Sequence, residues 1–125
     1  MVRSGREHRE QAALVEWARR AERRLPELRL LHAIPNGGDR HPAVAARLQA
    51  EGVRAGVPDL CLPVARGGWH GLYIELKAGR GRTSRAQRAW LAALQGEGYR
   101  AEVCRGWIPA RNLILAYLTA APPGG

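Results

Sequence analysis

Apolar positions recur at steps of three and four from residue 7 to 25. Leu14, Trp17, Ala21 and Leu25 share one face, which Glu7 and Glu10 occupy at its N-terminal end. That period predicts an amphipathic first helix, ended by Pro26, with Arg19, Arg20, Arg23 and Arg24 crowding its far end. The apolar run LRLLHAI that follows reads as a short strand, broken by the turn-forming stretch PNGGDRHP. A second helix, AVAARLQAEG, stops at Gly52, and Gly56 and Pro58 lead into a strand that starts near Asp59. After the turn ARGGWHG, LYIELKA returns as a strand. Its side chains alternate, so Tyr73, Glu75 and Lys77 share one face and Leu72, Ile74 and Leu76 the other. Glu75 and Lys77 then stand roughly 7 Å apart by strand rise. Thr83 or Ser84 caps a third helix running to about Gln95, with Trp90, Leu91 and Leu94 as its buried stripe. YRAEVCRGW makes a further strand, PARNLILAYLTA a last helix and APPGG a tail. The order is helix, strand, helix, strand, strand, helix, strand, helix, without repeat or linker. It predicts one mixed α/β domain over 1–125, with 1–5 and 120–125 expected to fray.

Composition narrows the partners. A chain of 125 residues buries roughly two thirds of its unfolded surface and needs no disulfide or metal to fold. A formal net charge of +9 points to an anionic partner, nucleic acid before acidic lipid. No apolar run approaches the length of a membrane span, and the charged start MVRSGREHREQ has no secretory pattern, so a cytoplasmic location is expected. Cys61 and Cys104 sit in apolar runs outside any CxxC pairing and read as buried hydrophobes. His8, His32, His41 and His70 lack zinc-ligand spacing.

The candidate chemistry gathers around one residue. Lys77 is the only lysine beside nineteen arginines. An ammonium is a compact charge able to shift its pKa and move a proton; a guanidinium stays charged. Lys77 could be a remnant of biased composition, or half of an ordinary ion pair with Glu75. Asp59, one of two aspartates, changes that balance, because a hairpin would bring it beside Glu75. Two adjacent carboxylates repel unless a cation binds between them, and hard oxygen donors suit magnesium or manganese. Beside such an ion, Lys77 would orient or deprotonate the attacking water and offset charge on phosphorus.

These residues resemble the PD-(D/E)xK nuclease superfamily and, within it, the stand-alone VRR-NUC domains of phages and bacteria. The likeness runs through EHREQ (7–11), IPNGGDR (34–40), GVRAGVPDL (52–60), GLYIELK (71–77), SRAQRAWLAAL (84–94) and GYRAEVCRGW (98–107). It implies a restriction-endonuclease-like α/β fold, a central mixed β-sheet flanked by helices. The implied activity is that of an endonuclease dependent on Mg2+ or Mn2+ and acting on DNA. Asp59, Glu75 and the carbonyl of Leu76 would be metal ligands, and Lys77 would serve the water. A first-helix acid would join them, Glu7 by the family's spacing, with Glu10 as the alternative; both could instead be first-turn acids favoured by the helix dipole. Gln87 is nominated as a polar contact beside the metal, although Ser84-Arg85-Ala86-Gln87 also spells a capping box. Asn36, Gly37, Gly38 and Arg40 form a loop able to cradle a phosphate or simply to turn. Arg80, Arg82, Arg85 and Arg88 would track the DNA backbone. Branched DNA such as a four-way junction and a homodimer through Trp107 and LILAYL (113–118) are further expectations from the resemblance. A catalytically silent DNA-binding module on the same fold is the main alternative. A restriction-type enzyme is a weaker one, since no segment is available to read bases.

Overall fold

The computed structural model describes residues 5–35 and 41–124. Its frame is a four-stranded sheet ordered β1 (His32–Ala33), β2 (Leu60–Leu62), β3 (Leu72–Lys77), β4 (Arg100–Arg105). β1 and β2 pair antiparallel, as do β2 and β3, whereas β3 and β4 are parallel. A parallel neighbour requires a crossover, which helix α3 (Arg85–Gly96) supplies on one face of the sheet. Helices α1 (Gly5–Ala21) and α4 (Trp107–Thr119) cover the other face, and α2 (Pro42–Ala50) has no buried residue. The expected mixed α/β domain is the observed one.

The alternation read along β3 divides the interior. Leu72, Ile74 and Leu76 join Leu14 and Ala18 of α1 and Ile114 and Tyr117 of α4 in the apolar core. Tyr117 keeps its hydroxyl satisfied by donating to the Val64 carbonyl at 2.6 Å, as a buried phenol must. Since Ile114 and Tyr117 are consumed by this core, the LILAYL segment covers the sheet of its own chain. Both cysteines are buried, and burial pushes the Cys104 thiol up to about 11, consistent with an inert packing role.

One predicted element changes character. Most of LRLLHAI is not a strand: Pro26–Leu30 forms a 3₁₀ helix, leaving only His32 and Ala33 to pair with β2. Pro26 has the fixed φ that suits a helix start. Leu28 N–H donates to Leu25 O at 3.0 Å and Leu31 N–H to Leu28 O at 3.1 Å, closing the short turns of a 3₁₀ segment. Leu28 thereby enters the core while Leu30 is left exposed.

Two loops set the approach to the sheet's polar face. Gly56, at φ +93, lies so close to α3 that a Cβ there would stand 2.8 Å from the Ala86 carbonyl carbon; glycine is required on both counts. α4 begins at Trp107, two residues before the expected Pro109, because Glu10 of α1 caps it. Glu10 Oε1 accepts the Trp107 N–H at 2.8 Å.

Candidate active site

Among the described residues, the buried polar or charged side chains are Asp59, Glu75, Lys77 and Gln87. Such groups stay inside only when paired or hydrogen-bonded. The fold brings all four to one place. Leu60 pairs with Ile74, so the antiparallel register carried one residue further sets Asp59 against Glu75. Asp59 Oδ2 accepts the Leu76 N–H at 2.8 Å, which fixes that carboxylate on the neighbouring strand. Lys77 Nζ lies 3.6 Å from Glu75 Oε2.

Gln87 makes the capping contacts that its sequence context offers and also reaches Glu75. Its Oε1 accepts the Ser84 N–H at 2.7 Å, and its own N–H donates to Ser84 Oγ at 3.1 Å, completing the capping box at the start of α3. Its Nε2 donates to Glu75 Oε2 at 3.2 Å. One amide thus caps the helix with its oxygen and orients the carboxylate with its nitrogen. Gln87→Glu retains an acceptor for Ser84 and places a second carboxylate oxygen against Glu75. We expect its activity to fall about tenfold or more with little loss of melting temperature, whereas Gln87→Ala loses both. Thermal melts and cleavage rates measured on the same preparations check this.

Electrostatically the pair is in tension. Burial, then the negative charge of Asp59, push the Glu75 carboxyl up to about 8, against the opposing pull of Lys77. A second sign of an unmet demand is that Glu75 Oε1 is buried with no hydrogen-bond partner, as is Gln11 Oε1 on α1. A carboxyl raised in the folded state favours folding most below its unfolded value, and that contribution is lost as pH climbs through the folded pKa. Metal-free protein should therefore lose melting temperature between about pH 4.5 and about 8, and Glu75→Gln should flatten that slope in EDTA.

A divalent cation would fit both features, since it would neutralise the repulsion and could take the orphaned oxygen as a donor. Among the described residues no three His, Cys, Asp or Glu side chains converge into a preformed cluster. The donor set is instead a carboxylate pair, which suits magnesium, an ion held through one or two carboxylates and otherwise by water or other oxygens. Leu76 lies between Glu75 and Lys77 on β3 with its N–H already committed to Asp59.

The two first-helix acids separate. Glu10 is committed to the α4 cap. Glu7 lies beside the turn after β3, where a Cβ on Gly81 would meet Glu7 Oε2 at 3.1 Å and Lys77 Cδ at 3.7 Å. Arg80, Arg82, Arg85 and Arg88 are exposed around this turn, and Arg88 donates to the Thr83 carbonyl at 2.6 Å. Sequence reasoning passed over Arg105, whose register partner on β3 is Lys77. Its guanidinium donates to Gly81 O at 2.6 Å and Gly79 O at 3.3 Å, pinning the turn that adjoins Glu7. Only the parallel pairing of β3 with β4, invisible in local spacing, would have singled it out. Asn36, Gly37, Gly38 and Arg40 lie outside the described residues.

The fold belongs to a known class. The chain matches the VRR-NUC domain family over residues 2–107 and is a member of it. A solved structure described as a VRR_NUC domain protein superposes with a TM-score of 0.79 at 29% identity, covering 97% of this chain and 94% of that one. Among curated proteins none matches the chain. No described helix is long and apolar enough to cross a membrane.

Proposed function

We propose that this VRR-NUC domain is a magnesium- or manganese-dependent DNA endonuclease that hydrolyses phosphodiester bonds at Asp59, Glu75 and Lys77. The observation carrying this reading is the Asp59–Glu75 pair itself. Two buried carboxylates face each other across adjacent strands, one raised to about 8 and holding an unpartnered oxygen, with the chain's only lysine alongside. A plain Glu75–Lys77 ion pair would not by itself call for a second buried carboxylate whose charge opposes ionisation of Glu75.

Asp59 and Glu75, with the Leu76 carbonyl, would hold the cation. When bound, it supplies Lewis acidity, easing deprotonation of water and polarising the phosphoryl group. The chain's own residues do the rest. Leu76 N–H keeps Asp59 from swinging away, and Gln87 Nε2 fixes the rotation of Glu75. Lys77 Nζ orients the attacking water and offsets charge gathering on the phosphate oxygens. Glu7, which stands with the Lys77 side chain at the Gly81 turn, would be the first-helix acid that joins these ligands. Arg80, Arg82, Arg85 and Arg88, with any contribution from Asn36 and Arg40, hold the DNA backbone without reading its sequence.

Branched DNA such as a four-way junction is the substrate we favour, and paired cuts there would ask for two copies of the chain. Because α4 spends Ile114 and Tyr117 on its own core, a dimer contact through that helix would use Ile108, which is 48% exposed, together with the half-buried Trp107, Leu113 and Leu115. The test is purified protein with magnesium, then with EDTA, against linear duplex, single-stranded, flapped and four-way DNA, with light scattering for oligomeric state. Cleavage in magnesium that EDTA abolishes supports the assignment. Binding without cleavage under any divalent metal would leave a silent binding module in its place.

A further inference from the structure

A cleft of about 650 Å3 lies between α1 and the segment that follows β1, and Asp59 forms part of its lining. On the α1 side, His8, Ala12, Val15 and Arg19 follow one another at steps of four, three and four, a single helical stripe about 16 Å long. Ile34 and Pro35 stand opposite. The Ile34 N–H donates to the Asp59 carbonyl at 2.8 Å, so the opposing wall is tied to the residue whose side chain belongs to the acid pair. Cleft and acid pair are continuous through Asp59.

We propose that this cleft receives one unpaired nucleoside of the DNA strand whose phosphate is attacked at Asp59 and Glu75, an inference that rests on the nuclease reading above. Three features carry it. The first is continuity: a phosphate held at Asp59 has a nucleoside on each side. Beyond Glu75 and Lys77 lies the turn with its exposed arginines, a surface for backbone; on the Asp59 side, among the described residues, lies the cleft. The second is chemistry. Ala12, Val15, Ile34 and Pro35 give the cleft apolar walls suited to the faces of a base, while His8, Gln11, Glu16 and Arg19 add polar groups along α1, Glu16 with its charge offset by Arg20 at 2.7 Å.

The third is size. A volume of about 650 Å3 is that of a small-ligand pocket, and a duplex, whose major groove alone is about 12 Å wide, does not fit in it. A base can enter only if it is already unpaired or is pulled from its stack, and pulling it out costs unstacking free energy that a bulge, flap or junction has already met. The cleft thereby selects branched DNA over continuous duplex without reading sequence.

The experiment uses a duplex with a single bulged 2-aminopurine and a fully paired duplex of matched sequence, bound to the full-length chain in EDTA and then cleaved with magnesium. Binding should change the probe's fluorescence about twofold or more, and magnesium should drive cutting beside the bulge at least about tenfold faster than in the paired duplex. Ala12→Trp, and the milder Ala12→Leu, add bulk to an exposed wall position. Both should lose the fluorescence change and the rate preference while keeping the magnesium-induced rise in melting temperature. A silent probe, equal cutting of both duplexes, or retention of the signal in Ala12→Trp overturns the cleft assignment and leaves the nuclease reading standing. A responsive probe that Ala12→Trp silences, with no cutting in magnesium, supports the cleft and removes the nuclease reading.

Discussion

Asp59→Ala and Glu75→Ala should each reduce DNA cleavage by about three orders of magnitude or more, with DNA affinity changed only a few-fold. The asymmetry follows from where the charges lie. On the proposed reading affinity would come from arginine–phosphate contacts, and the arginines nominated for them are exposed around the Gly79–Gly81 turn and the start of α3. The two acids are buried and contribute no favourable charge to an anionic ligand. Removing Glu75 also takes one acceptor from the Gln87 amide and the Glu75 ion-pair contact from Lys77, so melting temperature must be measured alongside. Glu75→Gln keeps the side-chain volume and serves as the cleaner variant. Near-native turnover by the folded Asp59 or Glu75 variants in magnesium would remove the acid pair from the chemistry.

Lys77→Arg, which keeps the charge, should still lose about a hundredfold in rate. Lys77 is as deeply buried as Glu75, with Nζ 3.6 Å from Oε2. The guanidinium of arginine is broader and planar, cannot shed its proton in the working range, and would crowd against Arg105, the register partner of Lys77 on β4. A rate deficit at unchanged metal affinity and melting temperature identifies a role in the chemical step. Normal cutting by Lys77→Arg would reduce the single lysine to a positive charge.

Much of this site was legible in the chain because its determinants are local. The period-two pattern of LYIELK split β3 into a core face and a polar face, and the hairpin from Asp59 to Glu75 is short enough for register to follow from alternation. Gln87 was legible as either a cap or a site residue. That an amide could do both required knowing that α3 sits over β3, which no spacing reveals. Long-range partners were illegible for the same reason. Glu10 and Trp107 are 97 residues apart, so Glu10 could be told from Glu7 only once α1 and α4 were side by side. The strand expected in LRLLHAI failed differently. Its apolar run satisfies a strand and a 3₁₀ turn equally, and Pro26 tips it to the turn. Apolar content likewise could not say whether LILAYL would meet a partner or its own sheet.

The claim on which the rest depends is that Asp59 and Glu75 hold a divalent cation, and the measurement closest to it is a calorimetric titration of magnesium or manganese at several pH values, without DNA. Because the Glu75 carboxyl is held up to about 8 by burial and by Asp59, the ion must displace a proton to bind. Affinity should therefore rise about tenfold per unit from about pH 6 to about pH 8 and level off above, with proton release on binding, and Glu75→Gln should bind at least about tenfold more weakly at pH 8. A wild-type protein that binds neither ion, or one whose affinity is the same in Glu75→Gln, would contradict the account.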